Sequence, residues 1–254
     1  MKALEERFAL AKEAAQEAGR FLLSHEDLRS EIYIKGDNDY VTSADKASEN
    51  IIRERIKSAF PEDAVLGEES GGARSGVRWI IDPIDGTVDF MTAFPNYTVS
   101  IGFEDEEGLA FGVVLCPRQG EMFSALRGSG AYLNGKRIHT DETLPLGESL
   151  AILVPPHRHK EILHSYMEVM ERFYYLVSDV RALGTAALSL CYVASGRCDV
   201  YYERALHIYD VAAGIVILRE AGGKVTFLTD DEDWLDIAAS NSSGHERVLE
   251  VING

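Results

Sequence analysis

Cysteine, proline and basic charge are all scarce in this sequence, and each scarcity removes a class of protein. The three cysteines, Cys116, Cys191 and Cys198, stand far apart and outside any C-x-x-C pair. Neither a disulfide framework nor a zinc–thiolate site is expected, and a reducing compartment fits. With 7 Pro and 22 Gly, neither periodic nor clustered, the chain is not collagen-like, nor a Pro/Gly-rich disordered tract. No uninterrupted apolar stretch approaches the ~20 residues that a membrane-spanning helix needs. The acidic opening Met1-Lys2-Ala3-Leu4-Glu5-Glu6-Arg7 lacks the apolar centre of a signal peptide. A cytoplasmic protein without membrane partners is therefore expected. Lys and Arg number 25 against 42 Asp and Glu, a net charge of −17. Such a surface repels phosphate backbones, so nucleic-acid binding is disfavoured. A solvated acidic surface explains this balance, and so does convergence of some carboxylates on metal ions. Charge alone leaves both open.

What is present is enough for a core. The chain has 254 residues, 46% of them hydrophobic, which suits one large domain or two fused layered halves. Residues 2–23 carry Phe8, Ala11, Ala15, Ala18 and Leu22 at helical spacing. A polar loop, Lys35-Gly36-Asp37-Asn38-Asp39, follows and runs into Tyr40-Val41-Thr42. Ser43 is placed to cap a helix over about 45–59, with Ile51, Ile52 and Ile56 on its apolar side. The middle then changes period. Short strands are predicted at 64–67, 78–81, 97–103, 109–115 and 121–125, with a tight turn at Asn134-Gly135. The run Thr98–Phe103 alternates as a half-buried strand does. In the second half, strands at 150–154, 174–178, 199–202 and 224–227 alternate with helices at about 160–173, 185–194 and 210–221. A last helix starts near Ser243. Helices, a strand-rich middle and alternating units predict a layered α/β (α+β) protein in two halves, 1–145 and 146–254.

The chemistry concentrates in Trp79-Ile80-Ile81-Asp82-Pro83-Ile84-Asp85-Gly86-Thr87. An apolar strand runs straight into two aspartates, a glycine and a hydroxyl residue. Asp82 and Asp85, with a carbonyl between them, offer the hard oxygens that Mg²⁺ prefers, and a substrate phosphate usually completes such a site. Gly86 allows close backbone approach, and a following helix start would present free N–H groups to a phosphate oxygen. A plain Asp-Pro-x-Asp-Gly turn with a capping Thr fits the same residues. The D-x-D-G-T nucleophile motif of haloacid-dehalogenase-type phosphatases does not, because Pro83 and Ile84 separate the aspartates by two residues. Further acids stand at predicted strand tips or helix starts: Glu68-Glu69 after Ala64–Gly67, Asp45 and Asp210. Each could be a simple cap or a solvated pair. Together they point to one edge of an α/β sheet.

These motifs resemble the inositol monophosphatase family of lithium-sensitive, Mg²⁺-dependent sugar phosphatases. Trp79 to Phe90 matches W-x-x-D-P-(L/I/V)-D-G-T-x-x-F, and Tyr209-Asp210-Val211-Ala212-Ala213-Gly214 through Gly223 matches the second motif. Gly67-Glu68-Glu69-Ser70 and Val41-Thr42 to Asp45 match two shorter elements. The resemblance implies an α-β-α-β-α sandwich, shared with fructose-1,6-bisphosphatase, with the site between two halves. It implies two or three Mg²⁺ ions. Glu68, Asp82 and the Ile84 carbonyl would hold one, Asp82, Asp85 and Asp210 a second, and Glu68 would touch a third. It casts Thr87, backed by Asp45, as the group that polarises the attacking water, and gives Glu68 a catalytic part through its ions. The Gly86 and Thr87 amides would cradle phosphate, while Asp85, Ala186 and Glu203 would hold the alcohol. Lys35 and its loop correspond to the family's mobile catalytic loop.

The implied reaction is hydrolysis of myo-inositol 1-phosphate or a related polyol phosphate, by a homodimer. The alternatives are fructose 1,6-bisphosphate, 3′-phosphoadenosine 5′-phosphate, NADP or histidinol phosphate. A non-catalytic regulator is the alternative of another class, since some bacterial relatives bind transcription or RNA machinery. The intact ligand set argues for an enzyme. No Lys/Arg cluster beside Glu203 signals a second phosphate site, and His207 reads as a packing or capping residue. Two positions depart from the pattern: Tyr209 where Trp is commoner, and Asp89 where Asn is commoner.

Overall fold

Five small or branched apolar residues on one stripe decide how the chain opens. In the computed structural model, which describes residues 2–36, 39–140, 145–229 and 234–254, α1 (Lys2–Ser24) buries Ala11, Ala14, Ala15, Ala18 and Leu22. The segment expected to be a loop is a hairpin. β1 (Ile32–Gly36) pairs antiparallel with β2 (Asp39–Thr42), because Ile32-Tyr33-Ile34 is a β-prone run that the polar tip obscures. Asp37 and Asn38 lie outside the described residues.

Helix α2 (Ser43–Ala59) is capped by Thr42 rather than Ser43. Thr42 is extended and its hydroxyl accepts the Ala44 amide at 3.2 Å, while Asp45 closes the reciprocal bond to the Thr42 amide at 2.7 Å.

Then come β3 (Ala64–Gly67), β4 (Gly71–Gly72), β5 (Arg78–Asp85), the single turn α3 (Thr87–Met91), β6 (Thr98–Asp105), β7 (Gly108–Cys116), β8 (Glu121–Leu126), β9 (Gly130–Leu133) and β10 (Lys136–Ile138). They form an eight-stranded sheet ordered β10-β9-β8-β7-β6-β5-β3-β4, in which only β3 and β5 run parallel among the described pairs. β5 does not stop at Ile81. It continues to Asp85 through a register shift between Asp82 and Asp85, where Asp85 pairs with Thr98. Such a bulge re-aims the side chains it interrupts. β6 is not half-buried: Thr98 to Phe103 are buried throughout, since helices cover both faces of the sheet.

The second half contains β11 (Leu150–Val154), α4 (Leu163–Tyr174), β12 (Asp179–Arg181), α5 (Ala186–Ala194), β13 (Val200–Leu206), α6 (Ile208–Glu220), β14 (Lys224–Phe227), β15 (Leu235–Ser240) and α7 (His245–Asn253). Its sheet is ordered β12-β11-β13-β15-β14. The strand expected at 174–178 is absent. Tyr174 ends α4, Tyr174 and Tyr175 are exposed, and the pairing falls on Asp179–Arg181 beside β11. β15 was not foreseen, and Glu203 lies inside β13 rather than beyond it.

Three cores set the layers. Ala11, Ile52 and Trp79 belong to the core between α1/α2 and the large sheet. Leu190, Val211 and Ile217 share a core with residues of both sheets, so α5 and α6 form the middle layer. Tyr166, Phe173 and Val248 pack α4 and α7 on the outer face of the small sheet. The order is α-β-α-β-α. Gly112 makes the central contact close: a Cβ there would stand 2.1 Å from the Ala213 carbonyl oxygen. No helix among the described residues is long and apolar enough to cross a membrane.

Candidate active site

The bulge of β5 and the tip of parallel β3 end side by side, and this brings the acids together. Glu68, just past β3, donates its amide to the Ile81 carbonyl at 3.1 Å. Asp82 and Asp85 project from the bulge. Gly86 then turns the chain with φ of +91°, where a Cβ would meet Thr185 Cγ2 at 2.5 Å, so only glycine serves. From the second half, α6 brings Asp210 and β13 brings Glu203. One cavity of ≈ 540 Å³ is lined by Glu68, Asp82, Ile84, Asp85, Gly86, Thr87, Ala186, Glu203 and Asp210, among others. Asp45 does not line it; it is fully buried behind Thr87.

Each side chain has a defined partner. Asp82 Oδ1 accepts the Ile84 amide at 3.0 Å. The Thr87 hydroxyl is 3.1 Å from Asp45 Oδ1 and 3.2 Å from the Ile84 carbonyl. Asp45 Oδ2 accepts the Thr42 amide and hydroxyl at 2.7 and 2.5 Å. Asp210 Oδ2 accepts the His207 amide at 2.6 Å, so Asp45 and Asp210 are helix caps as well as site acids. The amides of Ala186 and Ala187 donate to Asp85 at 3.3 and 2.8 Å. The Ala186 amide, given to the substrate alcohol by the resemblance, is thus engaged by Asp85, which caps α5 across the two halves. Glu203 is 7% exposed and accepts the Tyr201 hydroxyl at 2.6 Å.

Burial and mutual repulsion dominate the electrostatics. Burial first, then Glu68, Asp85 and Asp210, raise Asp82 well above the usual carboxylate range. Burial and then Asp210 do the same to Asp85. Burial raises Glu68 and lifts Asp210 to about 6, the latter opposed by Arg158. Burial takes Asp45 to about 6 and Glu203 to about 8. Among the described residues, no three acids, imidazoles or thiols are drawn to the spacing of a filled metal site. The donor set is nonetheless that of a hard cation: carboxylates and one carbonyl, with like charges facing each other. All three cysteines are buried and free.

Cations ring this cluster: Lys35 was singled out from the sequence, and Arg158 was missed. Lys35 pairs with Glu69 at 2.6 Å and reaches Glu68 at 3.4 Å. Arg158, on the loop after β11, pairs with Asp39 at 3.2 Å and faces Asp210 and Glu68. Arg158 and Arg204 both line the cavity with Glu203, and Arg204 is engaged by Asp236 at 2.6 Å. The run His157-Arg158-His159-Lys160 at a strand tip was the available signal. His207 packs its ring against Tyr209 and Trp234, with centroids 4.9 and 4.7 Å away. Asp89 lines the cavity, half-buried, with Oδ2 unpartnered.

The sequence and the fold both have relatives. The model of the inositol monophosphatase family matches residues 3–253. Nus factor SuhB of Vibrio cholerae is 37% identical over 251 residues, 96% of this chain and 94% of that protein. Extragenic suppressor protein suhB from Bartonella henselae superposes with a TM-score of 0.90 at 34% identity, covering 96% of this chain and 97% of that one. The inositol monophosphatase from Anabaena gives 0.87 at 33% identity, covering 99% and 96%. With its four motifs, its five layers and a match from end to end, the chain belongs to the inositol monophosphatase family.

Proposed function

We propose that the protein is a Mg²⁺-dependent phosphomonoesterase acting on myo-inositol 1-phosphate or a related polyol or sugar phosphate. One observation carries this reading: Glu68, Asp82, Asp85 and Asp210 converge from β3, β5 and α6 on a single cavity. Glu68, Asp82, the Ile84 carbonyl, Asp85 and Asp210 would hold Mg²⁺. When bound, Mg²⁺ makes a water acidic enough to attack phosphorus near neutral pH and offsets the charge on the phosphoryl and leaving oxygens.

The chain's own residues do the rest. Thr87 donates its single hydroxyl hydrogen to Asp45, leaving oxygen lone pairs free to accept from and orient the attacking water. The Gly86 turn lets its backbone approach the phosphate closely. Glu203, held by Tyr201, and Asp85, held by α5, address the hydroxyls of the alcohol. Residues 1–145 and 146–254 would complete the site jointly, in a lithium-inhibited cytoplasmic homodimer.

Phosphate release from inositol 1-phosphate, fructose 1,6-bisphosphate and 3′-phosphoadenosine 5′-phosphate, with Mg²⁺ or EDTA, tests this. Mg²⁺-dependent release should favour inositol 1-phosphate, and Glu203→Gln should raise its KM by about tenfold. Preference for another substrate would keep the chemistry and discard the inositol assignment. The name Nus factor, borne by the Vibrio cholerae relative, favours a second reading as a regulatory binding protein. Pull-downs with wild type and Asp82→Asn separate the two, because a binding role survives the loss of that carboxylate.

A further inference from the structure

Glu49 is a buried carboxylate that the proposed reaction does not use. It lies on α2, one turn beyond Asp45, and is 1% exposed. Its Oε2 accepts the Glu69 amide at 2.8 Å. Its Oε1 accepts the Ser70 amide at 3.2 Å, the Ser70 hydroxyl in a short bond, and Arg53 Nε at 2.8 Å. Arg53 in turn donates to the Gly71 carbonyl at 2.6 Å. Three of the four donors on this one carboxylate belong to the two residues that follow Glu68.

The residue before Glu68 is shaped by the same group. A Cβ on Gly67 would stand 2.5 Å from the Glu49 carboxyl carbon, so the acid occupies the space a side chain at 67 would need. From the other side, the Glu68 amide is tied to the Ile81 carbonyl at 3.1 Å. The backbone that carries Glu68 is therefore clamped between β5 and α2. This matters because Glu68, Asp82 and Asp210 line one cavity, where each carboxylate repels the next and pushes the turn away. Four hydrogen bonds gathered on one buried side chain are suited to resisting that push.

We propose that Glu49 is a positioning residue, which holds the Glu68-Glu69-Ser70 turn so that the Glu68 carboxylate is aimed at the cation position before an ion arrives. The proposal rests on reading Glu68 as a Mg²⁺ ligand. Groups that orient metal ligands typically cost roughly 10–100-fold in metal affinity when removed.

The test is Mn²⁺ binding to the full chain, followed by electron paramagnetic resonance, for wild type, Glu49→Gln, Ser70→Ala and Glu68→Gln. Glu49→Gln should weaken Mn²⁺ binding at least tenfold and raise the Mg²⁺ needed for half-maximal rate, with KM at saturating Mg²⁺ unchanged. Ser70→Ala, which removes a hydroxyl donor and keeps the carboxylate, should weaken it two- to threefold and answers the question should Glu49→Gln not fold. Wild-type Mn²⁺ affinity in a folded Glu49→Gln, or in Ser70→Ala, would leave Glu49 a purely structural residue. Glu68→Gln binding Mn²⁺ like wild type would instead overturn the ligand assignment beneath it.

Discussion

The Thr87 hydroxyl lies 3.1 Å from Asp45 Oδ1, although 42 positions separate the two residues. Asp45 is itself held by Thr42 through its other oxygen, so the acceptor is fixed before the hydroxyl meets it. Thr87→Ala should cut kcat by about 10²–10⁴, the usual worth of a proton-handling group, while Mn²⁺ binding stays within twofold. Thr87→Ser should recover most of the rate. A Thr87→Ala enzyme turning over like wild type would remove the hydroxyl from the chemistry.

Asp82 stands where three other acids press on it. Asp82→Asn should therefore abolish turnover and raise the melting temperature of the metal-free protein, two effects of opposite sign. Mg²⁺ at a hundred times its Kd stabilises wild type by about 2.7 kcal/mol, roughly 5–10 °C for a chain of this size. Differential scanning fluorimetry should show that shift in wild type and little of it in Asp82→Asn. Equal shifts in both proteins would sink the shared-ligand assignment.

Burial lifts the Asp89 carboxyl from 3.8 to about 6. Between those values the folded protein binds a proton that the unfolded chain has released, so stability falls as pH rises through that window and stays lower above it. Asn does not titrate. The melting-temperature difference between Asp89→Asn and wild type should thus be smallest near pH 3.5 and reach its full, stabilising value by pH 7. A difference that is flat with pH would show that this carboxyl is not perturbed.

Gly112 lets α6 lie directly on β7. Gly112→Ala places a methyl 2.1 Å from the Ala213 oxygen and should destabilise by at least about 1–3 kcal/mol, the range for overpacked interiors. Gly147→Ala, whose new methyl would find its nearest neighbour at 3.8 Å, should stay within about 0.5 kcal/mol. Urea denaturation of both variants reads the contrast, and equal stabilities would contradict the tight helix–sheet contact.

Legibility followed the range of the interactions involved. The helices at 2–24 and 43–59 were readable because their apolar stripes are local patterns, and most strands of the large sheet showed as β-prone runs between turns. The end of β5 was misplaced because Asp85 is a strand residue only through its pairing with Thr98. β12 was missed for a similar reason: Asp179-Val180-Arg181 carries little strand signal and is recruited by β11.

The sequence by itself determined the acids of four motifs and the Gly86 turn, because these are short local patterns; the caps of α2 and α6, Thr42 with Asp45 and His207 with Asp210, came only with the structure. Only the tertiary structure decided that these acids share one cavity, that Asp85 caps a helix 102 positions away at Ala187, and that Arg158 and Glu49 stand over and beneath the cluster. Propensity, caps and turns act over a few residues, whereas these meetings depend on sheet order and on two helices packed between two sheets.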